Sequence, residues 1–503
     1  MNRAPVESLE VDGRWCPMAH CNQTDDSFHD LPPLRGVRTS QRIADPVVSP
    51  YAWDNLGAYT GEAMAVCAYE SPRHPALVGY DHQDGSIKWS SPPADLPGAP
   101  RRRPNGIAMA KMGIGGKTPR PYVFASNPAE FVAYAADGTR LWKRRTTEIV
   151  APRWIGAPSS LRLTDAKELV AATTEGWVVK LNPADGSTID AYRMETDVAV
   201  GGRLYRGILA CIKSPAVIGD VLYCVVQFRP HPSNPLAPRF RPVHLIRVEL
   251  SQPGRAGLES AIRPLGRPES PRETCPDRAA IGVYRGGGSP PAWRAPDGKV
   301  LVFAHASAPV GGQLRPAVTA VEDDRGVLGI RWRSLLDVTP WDDVYAAPAL
   351  HGDSRTLLVP TLNGIHVFRG VDSLSGDIPS VRPLSGELVQ VGTRAPRTVG
   401  VGSPFALTFD PDADEIVAYT NFRVSSGFGV SSYGFLGAFA LPPVGRSAPR
   451  PLWCRPLAVT TAGAPAPGVG TAGQPALFRY DREGEEATAV IVNTVSTGTY
   501  IMR

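Results

Sequence analysis

The sequence predicts an all-β chain folded as a single β-propeller of eight four-stranded blades, with seven as the alternative count. Three observations carry this expectation. First, 50 of the 503 residues are Gly and 51 are Pro. Proline has no amide to donate and clashes with the preceding helical turn, so this density argues against a helical protein. It suits many short strands joined by turns. Second, a degenerate unit recurs along the chain, and stacked repeats of strands bury one another's faces. Third, Asp-Gly dipeptides stand between alternating apolar segments, a strong short-range hairpin signal.

The unit opens with a small residue and Pro, followed by a short apolar strand, a polar turn and a more hydrophobic strand. Clear copies begin at Ser214-Pro215, Ser289-Pro290, Ala347-Pro348, Ser403-Pro404 and Gln474-Pro475. Earlier versions begin at Ser49-Pro50, Pro104 and Pro158. The second half of each unit is a hairpin. Its turns are Asp84-Gly85, Asp137-Gly138 and Asp185-Gly186, and Trp89 and Trp142 each follow the Asp by five residues. A Trp there can bury a large area between neighbouring sheets. Later copies are weaker, with Trp332 after DDRGVLGIRW and a turn near Gly376.

The last unit stops short of an outer strand. The segment SLEVDGRW, with Asp12-Gly13 and Trp15, looks like that missing end, so the N-terminus is expected to close the ring. This divides the chain into residues 1–33, an N-terminal segment with the closing strand and the Cys16/Cys21 loop, and residues 34–503, the propeller. The stretches 90–121, 226–243, 252–288, 386–402, 421–434 and 455–473 are expected to be surface loops, where binding usually resides. One of them, from Phe422, interleaves aromatics with Gly and Ser and reads as an adaptable contact surface or a plain excursion between strands.

The segments GYDHQDGSIKW, AYAADGTRLW and KLNPADGSTIDAY resemble the PQQ-like, quinoprotein-type propeller repeat family, whose blades carry a similar hairpin and docking Trp. The resemblance is good over residues 76–192 and faint beyond. It implies the propeller architecture. The family includes quinone-dependent dehydrogenases and cofactor-free scaffold propellers, so it leaves activity open. A WD40 repeat is disfavoured, because no Gly-His…Trp-Asp pairing recurs.

Charge excludes little. The net charge is +5 and only eight of the 53 basic residues are Lys. The Arg excess reads as a base-composition effect or as an anion-binding surface, and nucleic acid is not the expected partner. No apolar run approaches the ~20 residues of a membrane-spanning helix. The first residues lack the apolar stretch of about 7–15 residues that marks a secretory leader. That suits a cytoplasmic protein or a mature exported form.

The candidate chemistry is sparse. Cys16, Met18, His20 and Cys21 fall in one short segment. Soft ligands of this kind suit copper or zinc, and a Cys16–Cys21 disulfide or two plain thiols is the simpler reading. The turn Asp410-Pro-Asp412-Ala-Asp414-Glu415 alternates carboxylates as calcium loops do. It lacks an EF-hand's Gly and distal Glu, and a solvated hairpin turn is expected. His305, His351 and His366 are expected near inner strands, lining the channel or simply hydrogen-bonded in place. Gly286, Gly287 and Gly288 precede no Lys-Ser/Thr and no helix, which rejects a phosphate loop.

A quinone-dependent dehydrogenase would need a calcium or lanthanide site and a carboxylate base. No adjacent Cys-Cys and no haem-attachment motif occurs. The expected function is therefore a non-catalytic scaffold binding protein partners or a ligand, with no cofactor. A quinone- or metal-dependent oxidoreductase, holding PQQ with calcium or a copper or zinc ion, is the alternative. A carbohydrate- or polymer-binding propeller is the third. Export to the periplasm or beyond is favoured over the cytoplasm.

Overall fold

The computed structural model describes residues 6–10, 28–44, 58–61, 64–68, 76–92, 106–114, 117–200, 202–235, 241–250, 278–283, 289–310, 313–337, 347–361, 364–381, 398–401, 405–425, 432–441, 450–457, 475–494 and 498–503. Among these, strands account for nearly all regular structure, and the only helix is Thr146–Ile149.

Eight blades follow one another in chain order. Their inner strands are Ala58–Gly61, Gly106–Ile114, Pro158–Leu163, Ala216–Ile218, Ala292–Arg294, Ala349–His351, Ala406–Asp410 and Ala476–Arg482. From blade 2 onward each begins within two residues of a repeat proline. The proline's missing amide costs nothing at a strand start. In blades 1 to 5 and 7 the inner strand leads into an antiparallel meander of three more strands, as in blade 3, where Leu169–Thr173, Trp177–Leu181 and Thr188–Arg193 follow, and in blade 8 into two. Blade 6 departs from this order. Its fourth strand, Gly376–Val381, pairs in parallel with Trp332–Leu336 of blade 5.

A four-stranded sheet has two apolar faces to bury, and the ring supplies a neighbour for each. Seams hold distinct clusters, such as Leu161, Leu163 and Val179 with Phe124 and Ala133 between blades 2 and 3, or Leu301 and Phe303 with Leu357, Val359 and Phe368 between blades 5 and 6.

The Trp of one outer strand docks under the hairpin turn of the next blade. The turn glycines Gly138 and Gly186 have φ of +83° and +68°, a region glycine enters without strain. A Cβ on Gly138 would lie 2.7 Å from Trp89, and one on Gly186 2.6 Å from Trp142. Trp142 Nε1 donates to Pro183 O of that turn at 2.7 Å. The weaker copy behaves alike, since Trp332 Nε1 donates to Val371 O of blade 6 at 2.8 Å.

An N-terminal strand closes the ring, but it is not the one containing Trp15. Blade 8 is completed by Ser40–Ala44, antiparallel to Gly498–Met502. Val6–Glu10 instead pairs with the end of Gly106–Ile114 in blade 2, and Asp12, Gly13 and Trp15 lie outside the described residues. The likeness of SLEVDGRW to a hairpin end specifies a strand but not its partner. Ser40–Ala44 has the decisive complement: a Cβ on Gly85 of blade 1 would lie 2.7 Å from Ile43, so Ile43 takes the role Trp has elsewhere.

The approach to that strand is anchored as well. Residues 28–39 run along blades 6 to 8. Leu34 N donates to Tyr419 Oη at 2.7 Å, and Leu34 O accepts Trp453 Nε1 at 2.8 Å. Thr488 Oγ1 donates to Pro32 O at 2.7 Å. Arg35 bonds the Asp410 carboxylate.

Candidate binding face

Blades 4, 5 and 7 are built unlike the others. Their second strands are Val221–Pro230, Val300–Val310 and Glu415–Ser425. In each, only the first residues pair with the inner strand: Val221–Tyr223, Val300–Val302 and Glu415–Tyr419. The remainder projects past the point where the inner strand begins. Added strands cover these projections, namely Arg203–Cys211 on blade 4 and Thr398–Val401 on blade 7. Blades 4 and 5 join where Val283 pairs with Ser307. The face on which inner strands begin is thus walled, and among the described residues the opposite face is not so extended. Parts of the stretches read as loops, 226–243 and 421–434 among them, are these strand extensions: Phe422 pairs with Phe435, within a continuous ladder.

Polar groups gather at the foot of the wall. Ser214 N donates to Ser289 Oγ at 3.0 Å, which stitches the starts of blades 4 and 5. The fully buried Arg162 reaches from blade 3, its Nε donating to Pro215 O at 2.6 Å. Cys211 donates to Lys213 O at 3.0 Å.

His305 continues the Leu301–Phe303 row toward blade 6, and His366 continues the Phe368 row toward blade 5. The sequence placed both near the channel, and they meet in this seam. His366 Nδ1 donates to Val381 O at 2.7 Å, and the Thr361 hydroxyl lies 3.4 Å from Nε2. His305 is 2% exposed, and neither ring nitrogen has a partner among the described residues. Burial, then the charges of His366 and Lys213, push His305 down to about 3. Burial lowers His366 as well, against the Val381 carbonyl and Asp337.

His351 is elsewhere. It ends the inner strand of blade 6, its ring 4.8 Å from both Phe28 and Phe409 and its Nδ1 2.8 Å from Ser354 Oγ. It is a packing residue. The acidic turn is a hairpin turn, as expected. Asp410 Oδ1 accepts the amides of Asp412 and Ala413, while Arg35 and Arg450 take Asp410 and Glu415. Cys16, Met18, His20 and Cys21 lie outside the described residues, as do Gly286, Gly287 and Gly288. The sequence reading missed Arg162, a single cation within the apolar inner strand of blade 3, and the anchored segment 28–39, which belongs to no repeat.

The rim of the walled face carries large apolar side chains in water. Trp154 is 51% exposed, Leu204 42% and Val310 41%. Trp154 is fixed by Nε1 donating to Pro128 O at 3.0 Å.

Among solved structures, a europium-containing methanol dehydrogenase matches with a TM-score of 0.51 at 11% identity, over 98% of each chain. This chain has the fold of a PQQ-like β-propeller. Two further matches are a quinohemoprotein alcohol dehydrogenase from Comamonas testosteroni (0.43, 10% identity, 98% of this chain and 82% of that) and BamB from Moraxella catarrhalis (0.42, 9%, 93% and 99%). No protein-family model and no curated protein matches the sequence. At such identities the likeness is one of fold, and a fold hosts many functions.

The foot of the wall tests the implied cofactor. A hard cation beside a quinone needs several carboxylate or amide oxygens. The described groups there are Arg162, Lys213, Ser214, Ser289, Thr361, two imidazoles and a single carboxylate, Asp337. This set suits an anion and fits calcium or a lanthanide poorly, so no step through a metal–quinone pair is derived.

Proposed function

We propose that this propeller is a non-catalytic platform that binds protein through its walled face. The observation that carries the reading is the exposure of Trp154, Leu204 and Val310 on the rim of the walled face; Ile87 and Val327 are also exposed but stand where the described strands build no wall. Large apolar side chains held rigidly in water mark interaction sites when they share a surface. The strand extensions of blades 4, 5 and 7 lend the surface stiffness, which lowers the entropic cost of binding. Export accompanies the reading and implies a Cys16–Cys21 disulfide. If both thiols alkylate in protein isolated without reductant, that part falls.

A photo-crosslinking amino acid at position 310, compared in the native host with one at position 327, tests the platform. Val327 is 57% exposed and lies on the opposite face, at the start of the last strand of blade 5. A discrete protein adduct from position 310 alone is expected. Adducts from neither position, or equally from both, overturn the reading. The absorption spectrum of the same protein, before and after unfolding, addresses the oxidoreductase alternative: a released quinone chromophore would make that reading lead.

A further inference from the structure

We infer that the surface running from Trp154 across Arg229 to Leu204 docks an acidic, extended segment of a partner protein, a proposal that rests on the platform reading above. The surface is continuous. Gly156 packs against Glu175, since a Cβ there would lie 2.7 Å away. Glu175 pairs with Arg229 at 3.6 Å, and Arg229 also donates to Thr174 O at 3.0 Å. Across the ladder Arg229 stands opposite Ile208. Side chains alternate along Arg203–Cys211, so Leu204, Arg206 and Ile208 share one face of that sheet. The other face carries Tyr205 and Leu209 into the core.

Two apolar anchors, Trp154 and Leu204, therefore bracket a stretch holding Arg153, Arg206 and Arg229. Arg153 and Arg206 are exposed, and their guanidinium groups make no ion pair or side-chain hydrogen bond among the described residues. The acids nearby are largely engaged. Glu175 meets Arg229 and Glu195 meets Arg193 at 3.0 Å, while Asp197 stands across the ladder from Arg206. What remains is two exposed apolar anchors separated by Arg153, which is unpaired among the described residues, and by Arg206 and Arg229, each set against a single carboxylate, an arrangement that matches a segment alternating carboxylates with large apolar side chains. Arginine is the cation best suited to bidentate carboxylate recognition.

The occupant lies on the sheet face rather than adding a strand. Glu195–Val200 is the terminal strand of its sheet, with no described strand on its outer edge. Yet that strand carries two carboxylates, Glu195 and Asp197, and no cation of its own to meet an incoming acidic strand at the edge, whereas on the sheet face the same carboxylates are offset by Arg193 and by Arg206 opposite.

The test uses the full chain and a short labelled peptide alternating glutamate with leucine and phenylalanine, read by fluorescence anisotropy. Binding is expected, weakened by salt, and reduced at least about tenfold by R153E/R206E and by W154A/L204A. V327D, on the opposite face, should leave it unchanged. Equal binding of a lysine-for-glutamate peptide, or indifference to both double variants, overturns the proposal. A position-310 adduct that persists alongside such indifference leaves the platform reading intact and removes only this patch.

Discussion

At the scale of single residues, the seams are set by side chains that meet a backbone with no room to spare. Trp142 is 8% exposed and lies against Gly186 of the next blade. Trp142→Ala should cost about 3–5 kcal/mol, from lost burial and the cavity left behind. Gly186→Ala should also destabilise, because Cβ meets the indole and φ is positive. Combined, the two should cost less than their sum, since removing the indole makes the room. Urea unfolding of the four proteins checks this, and strict additivity would deny the contact. His305 offers a pH test. Its folded-state value of about 3 lies below the unfolded 6.5, so the unfolded chain binds the extra proton between these values. The stability is complete above pH 6.5 and declines as pH falls toward 3. H305L should flatten the decline of melting temperature between pH 6.5 and 4, and an unchanged slope would mean His305 does not remain neutral when folded.

At the scale of elements, the segment 28–39 and the acidic turn explain each other. The turn reads as carboxylates in need of a cation, and the cations are guanidinium groups. Burial alone would raise the Asp410 carboxyl, but the Arg35 hydrogen bond and the Ala413 and Asp412 amides leave it lowered. Its contribution is present above the unfolded value of about 3.9 and is lost as pH falls below it. R35Q should therefore melt below the wild type at neutral pH, with the two curves converging as pH falls below about 4. A constant gap would show that Arg35 acts through packing instead. Such pairing was not legible beforehand, because Arg35 is 375 residues from Asp410 and belongs to no repeat. The repeat itself was legible. Prolines announced the inner strands, and Asp84-Gly85, Asp137-Gly138 and Asp185-Gly186 announced the turns, since both residue types act locally on φ. The wall was not: a loop and a continued strand share the composition of residues 421–434, and only the ladder partner tells them apart.

At the scale of the whole molecule, a propeller must be closed, and closure is where local patterns inform least. Any short alternating segment near the N-terminus satisfies the pattern of an outer strand. What selects Ser40–Ala44 over residues 8–15 is non-local: Ile43 over Gly85, the Arg503 amide donating to Thr39 O at 3.0 Å, and Arg503 Nη2 reaching His82 O and Gln83 O of blade 1 at 3.1 and 2.9 Å. Arg503 thus locks the last blade to the first once the strand is in place. A chain lacking residues 1–44 should leave the edge of Gly498–Met502 unpaired, an open template for other strands. It should melt at a lower temperature and self-associate with rising concentration. A synthetic peptide of residues 28–44 added in trans should bind, raise the melting temperature and suppress the association, because it restores both the strand and its anchors at Tyr419 and Trp453. A peptide of residues 1–17 can pair on blade 2 through Val6–Glu10 but should not suppress the association, since it leaves the edge of Gly498–Met502 open. Rescue by the second peptide and not the first would assign closure to the extreme N-terminus and undo the register described here.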